Sequence, residues 1–180
     1  KLLMVEMKWS FMPELQAARA AIARCELGRI YYPEAIGWQH RGSPGGSFIR
    51  RELSGGGALM DNGGYTLDAA LYLRGHPRPL TASGAAAAIF GQTPDGNWDP
   101  QDFTVEDFGT AFVRLEGGIS LFFGHAWAIN FTEQWQVRIA GDRGAAEIRP
   151  FGPGPKLRLV RGGYGNLEEA TPAALPTGST

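Results

Sequence analysis

Val105-Glu106-Asp107-Phe108-Gly109-Thr110-Ala111-Phe112-Val113-Arg114-Leu115-Glu116-Gly117-Gly118-Ile119-Ser120-Leu121-Phe122-Phe123-Gly124-His125-Ala126-Trp127 is the stretch that decides the fold. It holds two runs of strand length, rich in apolar and aromatic residues, split by a glycine pair suited to a tight hairpin turn. In the second run Leu121, Phe123, His125 and Trp127 share one face while Phe122 lies on the other, so both faces carry bulk. The same pattern extends outward. Strands are expected near residues 80–90, 105–115, 119–127, 134–140, 145–148 and 157–160, with Gly141-Asp142-Arg143-Gly144 as a second hairpin turn.

Ahead of these strands the pattern is helical. Pro13 suits a first helical position, residues 14–24 follow with an apolar stripe of Leu15, Ala18, Ile22 and Cys25, and Gly28 supplies a stop. Residues 30–39 read as a strand and 40–54 as a loop. A second helix is expected over 57–73 on a stripe of Met60, Gly64, Leu67 and Leu71. Helices first and hairpin-linked strands later imply an α+β domain: a mainly antiparallel, open-faced sheet with helices on one face. With few helices to cover it, the second face is expected to meet another copy, as a homodimer or tetramer.

Composition narrows the function classes. The 180 residues are 43% hydrophobic and 19% charged with a formal net charge of −1, an ordinary globular balance with no basic field for nucleic acid or anionic lipid. The longest apolar run, around residues 85–90, is far too short for a membrane span, and no signal peptide is recognisable. A lone cysteine, Cys25, excludes an internal disulfide and fits the cytoplasm; it reads as a buried or half-buried helix residue. The chain begins inside a strand-like run, Leu2-Leu3-Met4-Val5, and ends in a Pro/Thr/Ala/Gly-rich stretch, so it is expected to be part of something longer.

The candidate chemistry lies in Gly55-Gly56-Gly57-Ala58-Leu59-Met60-Asp61-Asn62-Gly63-Gly64-Tyr65-Thr66-Leu67-Asp68. On a helix, Asp61, Tyr65, Asp68 and Tyr72 form one polar stripe. Two glycines inside such a helix cost roughly 1 kcal/mol each relative to alanine, so something approaches that backbone closely. Two readings fit equally: a ligand site, or tight helix–sheet packing with Asp61 as a first-turn partner of the helix dipole. Asp95, Asn97, Asp99 and Glu106 match part of a calcium-loop spacing, but Pro100 stands where its glycine is required, and no metal is expected. His40, His76 and His125 are scattered without ligand spacing; His76 reads as a turn residue and His125 as a sheet-face residue. His40 and Arg41 end a strand, where they line a substrate pocket or a solvated loop. Trp38 and Trp127 suit either sugar stacking or core packing.

Residues 55–68 resemble the signature of the Gfo/Idh/MocA (glucose-fructose oxidoreductase / inositol dehydrogenase) family, a glycine run followed by Asp-x-Gly-x-His-x-x-Asp on a helix. Pro13 to Gly28, Arg41-Gly42-Ser43-Pro44-Gly45, Val105-Glu106-Asp107-Phe108, Gly117-Gly118 and Gly141-Asp142-Arg143-Gly144 also fit, over about residues 5–150. The resemblance implies the C-terminal half of a two-domain oxidoreductase that passes hydride between NAD or NADP and a sugar-like or cyclic polyol substrate. Its partner would be its own Rossmann domain, which binds most of the cofactor. On that basis residues 1–12 are the remnant of the last Rossmann strand and a link, 13–161 the α+β substrate and oligomerisation domain, and 162–180 a tail. Asp61 and Tyr65 become the catalytic candidates, His40, Arg41, Asp68 and Trp38 the substrate-binding ones, and Gly63 and Gly64 the place of cofactor approach.

Two departures stand out. Tyr65 occupies the family's usual histidine position, as in some relatives including glucose-fructose oxidoreductase itself. No Gly-x-Gly-x-x-Gly or Glu-Lys-Pro is present, so the chain alone is expected to be inactive. A tyrosine, with an ordinary pKa near ~10, serves as a base only when a cation stands beside it. A domain that kept the fold as a binding or dimerisation module, without the chemistry, is the alternative.

Overall fold

The hairpin glycines do what the sequence asks: Gly117 and Gly118 take φ of 85° and 78°, and the strands on either side pair in register from Leu115↔Ile119 to Phe108↔Ala126. The computed structural model describes residues 1–94, 96–163 and 165–170. Asp95 of the calcium-like spacing and the tail beyond residue 170 lie outside the described residues.

The strands are β1 (Ile30–Trp38), β2 (Pro79–Ala87), β3 (Phe108–Leu115), β4 (Ile119–Ala126), β5 (Gln134–Gly141), β6 (Gly144–Ile148), β7 (Leu157–Gly163) and β8 (Asn166–Ala170). They form one sheet in the order β2-β3-β4-β1-β5-β6-β7-β8. Every neighbouring pair is antiparallel except β1 with β4, so β1 enters the middle of the sheet and ends beside the end of β4. Helix α1 (Pro13–Ala23), the single turn α2 (Arg51–Ser54) and helix α3 (Gly63–Leu73) complete the named helices. No helix of the described residues is long and apolar enough to cross a membrane.

Alternation explains which side of the sheet the helices cover. Ala35, Leu121, Phe123, Val137, Ile139, Ala146, Ile148 and Leu159 point one way and are buried with Leu15, Ala18 and Ala21 of α1 and Ala69, Ala70 and Leu73 of α3. Small residues on the inward stripe of each helix let it lie close to the strands. Trp9, in a 3₁₀ turn before α1, closes this core at 1% exposure.

The opposite, open face has two halves. Phe112 and Phe122 sit directly opposite each other, and Trp38 stacks on Phe108 with ring centroids 6.3 Å apart. Beyond them runs a ladder of alternating charge: Glu34 opposite Arg138, Arg138 opposite Glu147, and Glu147 opposite Arg158, whose side chain reaches Glu169 at 2.8 Å. Arg138 and Glu34 pair in bidentate fashion. Cross-strand pairs of opposite charge favour this register over a one-residue slip.

The structure corrects several expectations. Helix α3 begins at Gly63 rather than at residue 57, and its buried positions are Gly63, Thr66, Ala69, Ala70 and Leu73. Met60 is 65% exposed, and Gly64, Leu67 and Leu71 are half-buried, so the expected stripe is rotated. Cys25 is exposed, at φ 57° in the turn after α1, because the helix ends at Ala23. Leu2 to Val5 are exposed and join no sheet. Strand β8 occupies part of the stretch expected to be tail, and pairs with β7 from Gly163↔Asn166 to Leu159↔Ala170.

Candidate functional site

The turn that carries Asp61 is built by one carboxylate. Glu106 Oε1 accepts hydrogen bonds from the backbone N–H of Gly57 at 2.9 Å and of Leu59 at 3.2 Å, and its own carbonyl accepts the Ala58 N–H at 3.0 Å. A Cβ on Gly57 would stand 1.9 Å from that carbonyl oxygen, which is why a glycine is required there. The chain then turns through Asp61, whose N–H donates to the Gly57 carbonyl at 3.0 Å, and enters α3. Gly63 and Gly64 are therefore first-turn residues, not mid-helix ones, and the expected penalty for breaking a helix interior does not arise.

The two glycines differ. A Cβ on Gly63 would lie 3.0 Å from Phe123 Cζ and 3.4 Å from His125 Cβ, so its bareness serves close helix–sheet packing. At Gly64 the nearest atom to such a Cβ is Met7 Cε at 3.9 Å, which leaves its backbone open to approach. Asp61 is half-buried and Oδ2 accepts the indole N–H of Trp127 at 3.0 Å. Tyr65 is half-buried, and the Lys8 ammonium stands 4.9 Å from its ring centroid. The polar stripe continues down the helix, already engaged. Asp68 accepts from the Ser10 hydroxyl at 3.0 Å, and the Tyr72 hydroxyl from Gln16 Nε2 at 2.8 Å. Asp68 lies roughly 7.5 Å along the axis from Gly63.

The remaining candidates are placed by the ends of β1 and β4. Trp38 is on the open face, with its ring over Gly124, and so lies on the opposite side of the sheet from Asp61 and Tyr65. His40 and Arg41 follow β1 on the same end of the sheet as the start of α3. His40 Nδ1 lies 3.1 Å from the Ile129 carbonyl. Arg41 donates to the Ile129 carbonyl at 3.3 Å and to Asn130 Oδ1 at 2.9 Å, and its guanidinium sits 4.0 Å from the centre of the Phe90 ring. It borders a cavity of about 410 Å³ with Ser43, Thr93, Asn97 and Trp98. A second cavity of about 470 Å³ opens beside Trp135, Glu133, Arg149 and Phe151 at the start of β5. Both lie at the sheet end where α3 begins.

Three features of this end escape a reading of the sequence. Lys8, read as part of a linking strand, stands over Tyr65. Asp107, fully buried, accepts three successive backbone N–H groups, from Ile89 at 2.8 Å, Phe90 at 2.7 Å and Gly91 at 2.6 Å. The acidic pair Glu106-Asp107 at the head of an apolar strand was the available signal, since buried carboxylates need donors. Among the described residues no group of three or more His, Cys, Asp or Glu is arranged to hold a metal; Glu106 is engaged with Gly57 and Leu59, and Asp99 with the Gln101 N–H.

His125 is the third. It is fully buried between two cross-strand glycines, Gly37 and Gly109, and beside Trp135 at 5.0 Å between centroids. A Cβ on Gly37 would fall 2.3 Å from the imidazole. Neither ring nitrogen has a hydrogen-bond partner, and burial pushes its pKa from 6.5 down to about 3. The unfolded chain takes up a proton near the usual 6.5, whereas the folded chain resists doing so until about 3. Stability is therefore expected to be full above about pH 6.5 and to fall as pH drops from there towards 3. Denaturant unfolding at pH 7 and 5 checks this. His125→Phe should flatten that part of the profile, and equal stability of the unmodified protein at both pH values would contradict it.

Comparison with known proteins identifies the family and the fold. A family model described as GFO/IDH/MocA C-terminal domain matches residues 15–147. D-glucoside 3-dehydrogenase of Escherichia coli (strain K12) is 33% identical over 159 residues, covering 83% of this chain and 45% of that protein. The chain thus spans less than half the length of that relative. The fold matches the crystal structure of aldose-aldose oxidoreductase from Caulobacter crescentus complexed with glycerol, with a TM-score of 0.75, 24% identity, and coverage of 97% of this chain and 49% of that one. It also matches levoglucosan dehydrogenase in complex with NADH and L-sorbose, with a TM-score of 0.78 and 17% identity, over 93% of this chain and 45% of that one.

Proposed function

The chain belongs to the GFO/IDH/MocA C-terminal-domain family, and from that premise we propose that it is the substrate-binding and catalytic half of a nicotinamide-dependent sugar oxidoreductase. The observation that carries this reading is the start of α3. There Asp61 and Tyr65 flank an unobstructed Gly64, at the sheet end where β1 and β4 also finish.

NAD or NADP, held mainly by a Rossmann domain, would supply the hydride acceptor when bound; Gly64 offers it backbone without a side chain in the way. The chain's own groups handle the proton and the orientation. Tyr65 takes the proton of the sugar hydroxyl as hydride leaves the same carbon and the carbonyl forms. The Lys8 ammonium, 4.9 Å from the Tyr65 ring centroid, helps hold that ring in place by a cation–π contact. Asp61, with Oδ2 held by Trp127, has Oδ1 left to accept a second hydroxyl and fix the sugar's register. His40 and Arg41 complete the substrate side from the end of β1. The aromatics of the open face, Phe112 exposed at 49% beside half-buried Phe122, Phe108 and Trp38, suit burial against a second copy in a homodimer or tetramer. The exposed free thiol of Cys25 fits the reducing cytoplasm.

The test is the full-length protein incubated with NAD or NADP and a panel of glucosides, aldoses and cyclic polyols, followed at the absorbance of the reduced cofactor and sized by light scattering. Turnover of at least one sugar by an oligomer is expected. An oligomer that turns over none of them would leave a scaffold that kept the fold and lost the chemistry.

A further inference from the structure

We propose that Trp127 is the positioning residue for Asp61, and that the segment between β2 and β3 sets the orientation of that carboxylate through it. The inference rests on Asp61 belonging to the reaction site and adds the device that aims it.

Trp127 is fully buried although it lies just past the end of β4, where a chain would ordinarily turn out to solvent. All of its polar groups are used. Its backbone N–H donates to the Asp107 carbonyl at 2.8 Å, its carbonyl accepts the Gly42 N–H at 2.6 Å, and its indole N–H donates to Asp61 Oδ2 at 3.0 Å. One residue thus ties the head of β3, the loop after β1 and the turn before α3. An indole has a single donor and no acceptor, so this bond can be made only one way round. It engages Oδ2 and leaves Oδ1 for a ligand.

The indole is itself held from behind. Phe103 meets it edge-on at 6.4 Å between centroids and 90°, and Trp98 packs on Phe103 at 5.5 Å. Phe103, Val105, Ile49 and Ala58 enclose it in a small core separate from the main one. Phe103, Trp98 and Val105 all come from the segment between β2 and β3. A phenylalanine at 127 would keep most of that packing but present no donor, and the carboxylate would be free to rotate about χ2.

The experiment is a double-mutant cycle in the full-length protein, with Trp127→Phe, Asp61→Ala and the pair, assayed for oxidation of a glucoside with NAD or NADP. Trp127→Phe is expected to lower kcat by about tenfold to a hundredfold with KM changed by less than about threefold, the loss of one hydrogen bond to a charged group. In the Asp61→Ala background it should have almost no further effect. Equal effects of Trp127→Phe in both backgrounds would overturn the inference and make Trp127 a packing residue. If Asp61→Ala itself leaves turnover intact, it is Asp61's assignment to the site that fails. The indole ¹H–¹⁵N resonance of Trp127 provides a readout free of turnover: it should shift in Asp61→Ala far more than those of Trp9, Trp38, Trp98 and Trp135. Its staying in place would also overturn the inference.

Discussion

Tyr65→Phe in the full-length protein is expected to lower kcat by about two to four orders of magnitude, the usual worth of a positioned acid or base. KM should move much less, since the hydroxyl acts chiefly as the proton leaves and the ring facing Lys8 is retained. Tyr65→His restores a proton acceptor of the type the family ordinarily carries there. It should recover part of the activity, with an optimum at lower pH because imidazole titrates near ~6.5. Near-normal turnover in Tyr65→Phe would reduce Tyr65 to a packing residue and pass the proton to another group.

The elements legible in the sequence were those whose pattern is local. Gly117-Gly118 between alternating runs specified the β3–β4 hairpin, and Pro13 marked the start of α1, while its end at Ala23, followed by left-handed Cys25, falls before the expected stop at Gly28. Both follow from φ preferences and periodicity, which need no knowledge of the rest of the chain. The parallel contact of β1 with β4 is long-range and leaves no local mark, and it is this contact that brings His40 and Arg41 to the same sheet end as Trp127. The start of α3 was misjudged because residues 57–62 contain good helix formers, but Glu106 captures two of their N–H groups and folds them into a turn. Strand β8 was missed because Asn166-Leu167-Glu168-Glu169-Ala170 has little apolar character; Arg158 and Glu169 supply the pairing that its hydrophobicity does not.

The site residues divide along the same line. Asp61, Tyr65 and the glycines could be grouped as candidates because they share one short segment, whereas Trp38, grouped with the substrate candidates, lies on the other face by strand alternation. Knowing which face of β1 meets the helices requires its neighbours: Gly37 lies under His125, so Trp38 must point away. Lys8, Trp127 and Asp107 contact partners far along the chain, and those contacts appear only once the strands are assembled.

Asp107 carries the largest expected effect on stability. Its carboxylate is buried, and the three N–H groups it satisfies belong to consecutive residues, Ile89, Phe90 and Gly91, that turn the chain out of β2. Its backbone N–H donates to the Ala87 carbonyl at 3.1 Å and its carbonyl accepts from Trp127, so the residue closes the ends of β2, β3 and β4 together. Asp107→Ala would leave three donors without this partner, that of Gly91 buried and those of Ile89 and Phe90 part-buried, at about 1–3 kcal/mol each if none relaxes or finds water. With partial relaxation of the Phe90–Gly91 turn, a loss of about 3–5 kcal/mol is expected, near the whole margin of many domains and equal to a fall in Tm of about 10 °C or more. Asp107→Asn retains one acceptor oxygen but turns an NH₂ towards one of the donors, so it should lie between the two. Urea unfolding followed by tryptophan fluorescence measures both. A loss below about 1 kcal/mol in Asp107→Ala would show that the turn after β2 stands without the carboxylate. The segment that backs Trp127 would then be held by the packing of Phe103, Trp98 and Val105 and by contacts such as the Thr104 N–H to the Ile49 carbonyl and Arg50 to Asp102.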